Sequence, residues 1–200
     1  MLNIDDKTFS INENNYIKTK TEKKQIVISF SLRKKNYHIL RLQQNEMGKS
    51  KMWNTFTIDR NGNVFQHYND EYYTNYLIDG KNNKEIISIV LENMGGLVES
   101  PNGEFINQLN EVCDFDSVIE KKWLSCSYWE KIPETQFNNL ILLCQFLLKK
   151  HNIPSNVIEF QHYHKNIYKY IGIVFMSNYI DDFTYFNPMF DINEFKRKIQ

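Results

Sequence analysis

The chain has 200 residues, enough for one domain carrying an insertion, and its 14 Phe and 12 Tyr can fill a substantial core. Its 24 basic and 24 acidic residues cancel to a formal net charge of zero, which argues against nucleic acid as partner, since phosphate binding draws its affinity from an excess of positive charge. No apolar run reaches bilayer length and no signal peptide is expected, while Cys113, Cys126 and Cys144 are far apart and form no CxxC, which points to a reducing compartment or to export without a leader.

In chain order, residues 1–24 are polar and irregular and read as an arm that packs on something else, ahead of a single domain over 25–200. Gln25 to Phe30 (QIVISF) is a short apolar run, the pattern of a buried strand. Lys34 to Met47 has helical character, with Tyr37, Leu40 and Gln44 along one side. Thr55 to Ile58 and Val64 to Tyr68 flank Arg60-Asn61-Gly62, whose residues tolerate positive φ, and read as a hairpin. Glu71 to Leu77 reads as a short helix or irregular turn, and Glu85 to Glu92 as a second buried strand that Gly95-Gly96 stops.

Residues 97–131 read as an insertion packed by Trp123, Tyr128 and Trp129, with Glu104 to Val112 as a helical stretch. The clearest helix runs from Pro133 to Lys150. Phe137, Leu140, Ile141, Cys144, Leu147 and Leu148 recur on one face, Pro133 suits the first turn, and Lys149, Lys150 and His151 complement the dipole at the end. Val157 to Phe160 and Ile171 to Phe175 read as strands, Asn187-Pro188 as a turn, and Asp191 as the N-cap of a last helix ending at Ile199. Strands thus alternate with helices around one hairpin, which predicts an α/β fold with a central mixed β-sheet flanked by helices.

The order of the hairpin TFTIDRNGNVFQ, the strand EIISIVLEN, the helix ending KKHNIP, the stretch VIEFQHYH and the ending IGIVFMSNYIDDFTYFNPMFDINEF resembles the type 2 N-acetylmuramoyl-L-alanine amidases. Their fold is shared with peptidoglycan-recognition proteins, and the likeness is greatest to bacteriophage versions. It spans Gln25 to Lys198. The resemblance implies a zinc ion held by three side chains, with an open position for a water whose pKa the metal lowers toward ~7. It also implies cleavage of the bond between muramic acid and the first alanine of the stem peptide.

Against that pattern, the strand that carries the family's first histidine ends here Ile28-Ser29-Phe30-Ser31. His162, with His164 close by, matches the second ligand; Tyr185 stands in place of the third, and Asn54 or Thr55 in place of the catalytic tyrosine. One imidazole does not hold zinc, because a metal site needs ligand count and geometry together. The expectation is a non-catalytic, phage-type amidase-like domain without a metal cofactor, serving peptidoglycan binding or virion assembly in the virion or the host cytoplasm. Its partners would be peptidoglycan or other virion proteins. The alternative is a zinc-dependent amidase whose ligands are rebuilt from residues such as His38, His67, Asp181 and Asp182.

The candidate residues are then His162 as a remnant ligand, and Asn54, Thr55, His67, Asn93, His164 and Tyr185 as groove residues. Each has a plainer reading. His162 and His164 are polar side chains at a strand end, and Asn93 shapes the turn before Gly95. Trp123, Tyr128 and Trp129 are core rather than sugar platforms. Any remaining groove is expected over Phe56, Ile58, Phe65 and Ile89, near His162.

Overall fold

A computed structural model describes residues 2–34, 52–77, 80, 82–159, 161–181 and 186–200. The helix expected over Lys34 to Met47 lies outside these apart from its first residue, as do His38, Asp182 and Tyr185.

Among the described residues, ten strands form two sheets. The first has the order β1 (Ile4–Asp5), β4 (Val64–Gln66), β3 (Phe56–Ile58), β5 (Ile86–Leu91), β2 (Gln25–Phe30), β10 (Gly172–Phe175). Strands β3, β5, β2 and β10 run parallel, and β4 is antiparallel to β3 through the predicted hairpin. The sheet is therefore mixed, as the alternation of elements predicted. Helix α1 (Glu134–His151) and helix α2 (Ile192–Ile199) pack against it.

Register decides which side chains α1 covers. Phe56 pairs with Ile89 and Ile28 also pairs with Ile89, so Ile26, Ile28, Phe30, Ile87, Ile89, Leu91, Phe56 and Ile58 share one face. All are buried, in one core with Leu140, Cys144 and Leu147 of α1 and Phe195 of α2. Each large apolar side chain so covered contributes about 1.5–3 kcal/mol. Among the described residues, the face expected to carry a groove over Phe56, Ile58 and Ile89 is filled by helix packing. Phe65 pairs with Thr57 and lies on the opposite face, where its ring meets Phe9 edge-on at 4.8 Å.

The opposite face is more polar, carrying Ser29, Thr57, Ser88 and His67, and the N-terminal arm reaches it. Ile4 pairs with Val64, Ile17 bridges Tyr73, and Tyr16 stacks on Tyr68 and Tyr72 at 5.4 and 5.7 Å. The arm thus packs on its own sheet edge. Lys23, 3 % exposed, anchors it by donating to Thr21 Oγ1, the Tyr72 carbonyl and the Lys84 carbonyl at 2.9, 2.6 and 3.0 Å.

The second sheet has the order β7 (Phe105–Ile106), β6 (Gly96–Glu99), β9 (Cys126–Glu130), β8 (Val118–Trp123) and is antiparallel. The helix expected over Glu104 to Val112 is not formed. Asn107 Oδ1 accepts from the N–H groups of Leu109 and Glu111, and Asn110 adopts φ +58°, so local side-chain capping of a turn wins over helix propensity. Of the strand expected over Val157 to Phe160, Val157 makes only an isolated bridge to Ile173, and Phe160 is not among the described residues.

Both helix termini are explained locally. Pro133 sits one residue earlier than expected, at the N-cap of α1, and Asn152 closes the helix in the left-handed region at φ +53°. Asp191 caps α2 as predicted, accepting from the Glu194 N–H at 2.8 Å. Among the described residues, no helix is long and apolar enough to cross a membrane.

Candidate functional site

Parallel α/β sheets place ligands beyond the carboxyl ends of their strands. Here β2, β3, β5 and β10 deliver Ser31, Arg60, Glu92-Asn93 and Met176 to that edge. Arg60 is held there by its turn. Asp59 accepts from the N–H groups of Asn61 and Asn63 at 2.9 and 2.8 Å, and Gly62 supplies φ +88°. A Cβ on Gly62 would also lie 3.0 Å from the Thr135 carbonyl oxygen of α1, so the turn seats directly on the helix start.

The Arg60 guanidinium is forked onto Glu130 of β9, with Nε to Oε1 at 2.7 Å and Nη2 to Oε2 at 2.9 Å. Its Nη1 lies 3.8 Å from Glu92 Oε2, and Nη2 also donates to the Arg33 carbonyl at 3.2 Å. The side chains of Arg60, Glu92 and Glu130 are 13 %, 1 % and 6 % exposed, so a cation stands buried between two carboxylates. Burial opposes its charge, but the bonds to Glu130 and the field of Glu92 outweigh that and hold its pKa above the ordinary value. Glu130 also accepts from the Met94 N–H. Beside them Cys113 is pushed up to about 12, by burial first and the Glu130 charge next, which leaves a neutral thiol.

Amides knit the same edge together. Asn93 Oδ1 accepts from the Gly95 N–H at 2.8 Å, the turn-shaping role read from sequence, and from Asn187 Nδ2 at 2.8 Å. Asn187 Nδ2 also reaches the Glu130 carbonyl at 2.8 Å, so the turn at Asn187-Pro188, the end of β5 and the end of β9 meet at one point. Gln136 of α1 donates to the Ile58 and Glu92 carbonyls at 2.9 and 3.1 Å.

The sequence-predicted residues fall into three places. Asn54, Thr55 and His67 come together under the arm. Asn54 Nδ2 donates to Thr57 Oγ1 at 2.9 Å, Thr57 Oγ1 meets His67 Nε2 at 2.7 Å, and His67 Nδ1 meets the Phe9 carbonyl at 2.9 Å. The carbonyl can only accept, so Nδ1 carries a proton and donates to it. His67 is 1 % exposed, and both of its nitrogens are engaged inside the fold. Thr55 Oγ1 meets Tyr68 Oη at 3.0 Å. Asn93 lies at the strand-end cluster. His162 and His164 lie in an exposed loop pinned to Asn178, which donates from Nδ2 to the His162 carbonyl at 3.0 Å and accepts the His164 N–H at 3.0 Å. Tyr185 is outside the described residues.

Among the described residues, the side chains at the positions matching the family's ligands do not make up a three-ligand zinc site. Ser29 Oγ meets Tyr76 Oη at 2.6 Å, Phe30 is core, and Ser31 Oγ accepts the Asn93 N–H at 3.2 Å. Among the described residues, no three His, Cys, Asp or Glu side chains converge.

A cleft of about 540 Å³ opens between β8 and the Asn187-Pro188 turn. Lys121, Trp123, Gln161, Phe186, Phe190 and Asn193 are among its walls. Trp129 is fully buried, as the aromatic-core reading expected, but Trp123 is only partly buried.

A family model described as N-acetylmuramoyl-L-alanine amidase matches residues 19–184. This chain belongs to that family. No curated protein matches it. Among solved structures, the N-acetylmuramoyl-L-alanine amidase LysC from Clostridium intestinale URNW is 13 % identical, with a TM-score of 0.56 over 100 % of this chain and 98 % of that one. A mutant endolysin from Bacillus subtilis is 16 % identical at a TM-score of 0.58, covering 100 % of both chains. The catalytic domain of XlyA is 15 % identical at 0.57, covering 99 % of each. At such identities the likeness establishes the fold, and the resemblance read from the sequence is correct at that level.

Sequence reasoning did not single out Arg60 or Glu130. Arg60 reads as a turn residue and Glu130 as the end of an insertion; nothing in their local patterns links positions 70 apart.

Proposed function

We propose that this amidase-family chain holds bacterial peptidoglycan without cleaving it. The observation that supports this best is the Arg60 guanidinium between Glu92 and Glu130 at the strand ends, where a fixed organic cation meets the carboxylates. The families and names of its relatives support the cell wall as target; the side chains at the positions matching the family's ligands support loss of the cut. No zinc is part of this reading.

The test is direct. The purified protein should carry no stoichiometric zinc by elemental analysis, should leave cell-wall suspensions turbid, and should be retained on insoluble peptidoglycan at low salt. One zinc per chain together with clearing of the suspension overturns the reading in favour of a hydrolase.

A second reading, a phage virion component that docks through the small sheet, is favoured by one observation. Val98, Phe115 and Leu124 of that region are 56 %, 75 % and 60 % exposed. Failure of the wall to retain the protein, with retention by virion proteins, would select it.

A further inference from the structure

We infer that the strap of residues 161–171, which leads into the edge strand β10, is a docking surface for an anionic, phosphodiester-linked polymer of the cell wall. This rests on the wall-binding reading and adds a charged partner to it, separate from peptidoglycan itself.

Buried amides hold the strap rigid. At one end Asn178, just past the carboxyl end of β10, donates to the His162 carbonyl at 3.0 Å and its own carbonyl accepts the His164 N–H at 3.0 Å. At the other end Gln25, the first residue of β2, donates from Nε2 to the carbonyls of Ile167 and Tyr170 at 2.8 and 2.6 Å. Asn82, shortly before β5, donates to the Tyr168 carbonyl at 2.9 Å. The strap therefore spans the length of β10, and Ile167, 4 % exposed, plugs it into the core. A surface fixed in this way loses little entropy on binding.

The side chains it leaves in water select the partner by charge. Between Glu159 and Asp181 the sequence has Lys165 and Lys169 and no Asp or Glu. Both lysines are exposed, as is Lys84, two residues beyond Asn82. Lys18, Lys20 and Lys24 each pair with a glutamate, but among the described residues no carboxylate pairs with Lys84, Lys165 or Lys169. Lys84 and Lys169 instead sit over the rings of Tyr73 and Tyr168, at 6.0 and 5.8 Å. Glu159, where the strap begins, is met by Lys196 at 3.7 Å. Ammonium groups that the fold does not neutralise suit phosphate, and the phenols of Tyr163 and Tyr168 add neutral donors. The zero net charge of the whole chain weighs against nucleic acid. A bilayer would need an apolar face to insert, whereas Ile171 is the strap's one exposed aliphatic side chain.

The test compares purified walls that carry their phosphate polymer with the same walls after hydrofluoric acid has cleaved the phosphodiesters. Native protein should be retained several-fold better by the unstripped walls. Three phosphate contacts releasing counterions predict roughly twenty-fold weaker retention at 200 mM than at 50 mM salt. Soluble poly(glycerol phosphate) should elute the protein. Lys84→Gln/Lys165→Gln/Lys169→Gln should lose most of the salt dependence and bind both walls as native protein binds the stripped ones; Lys165→Glu, a single exposed change, should move the same way, with native melting required of both. Equal retention of native protein by the two walls overturns the strap while wall binding stands. Variants held by unstripped walls as firmly as the native protein also overturn it. Retention by neither wall overturns both readings, and sedimentation with phosphatidylglycerol vesicles in that case selects a lipid surface instead.

Discussion

Replacing Arg60 by Met keeps the length and apolar stem of the side chain while removing its charge. Glu92 and Glu130, 1 % and 6 % exposed, then stay buried with their nearest described cation gone. Two hydrogen bonds to Glu130, at 2.7 and 2.9 Å, and one to the Arg33 carbonyl, at 3.2 Å, vanish with it. Breaking a buried ion pair from one side costs about 3–5 kcal/mol, because the partner's desolvation is left uncompensated. Loss of this size is expected in urea unfolding at pH 7, seen as a lower midpoint at unchanged slope. The pH dependence provides the sharper check. In the variant, protonation spares a buried carboxylate its desolvation, so the deficit is expected to shrink as pH falls from 7 toward 5. A second change, Glu130→Gln, should recover part of the loss at pH 7. A deficit below about 1 kcal/mol at pH 7, or one identical at both pH values, would show that the cluster is not the buried charge assembly described here.

Asp70, 1 % exposed and bonded to Lys150 at 2.8 Å and His151 at 2.7 Å, is held down to about 2, those partners overcoming the upward push of burial. Against the ordinary 3.8 this is worth about 2.4 kcal/mol, present above pH 4 and lost as pH falls through 2; Asp70→Asn should be destabilised by about that amount at pH 7 and converge with the native protein near pH 2. Lys23 is shifted the other way, from 10.5 down to about 8, chiefly by burial. The unfolded chain binds the extra proton between those values, so this group makes stability rise with pH from 8 to 10.5, by up to about 3 kcal/mol, and Lys23→Met should flatten that part of the profile in thermal melts. Gly172 adopts φ +135°, and a Cβ there would stand 2.3 Å from the Asn156 carbonyl oxygen; Gly172→Ala should cost more than about 1 kcal/mol and lower the melting temperature, whereas an unchanged melt would mean that β10 starts elsewhere.

The sequence by itself determined the elements whose signal is local. The apolar runs of β2 and β5, the alternation around Asn61-Gly62, the 3.6-residue stripe of α1 and the Asp191 cap of α2 each satisfy their own backbone within a few residues, and each stands where its pattern placed it. The order of those elements was enough to reach the family. Tertiary structure alone decided what covers each face and what meets at the strand ends. Residues 104–112 became a hairpin because Asn107 could cap a turn, a choice that propensity does not record. The expected groove closed because register put Phe56, Ile58 and Ile89 on the side that α1 needs. Arg60, Glu92 and Glu130 come from three separate elements, and their meeting is a matter of charge desolvated by packing, an interaction between distant parts of the chain that no local stretch of sequence encodes.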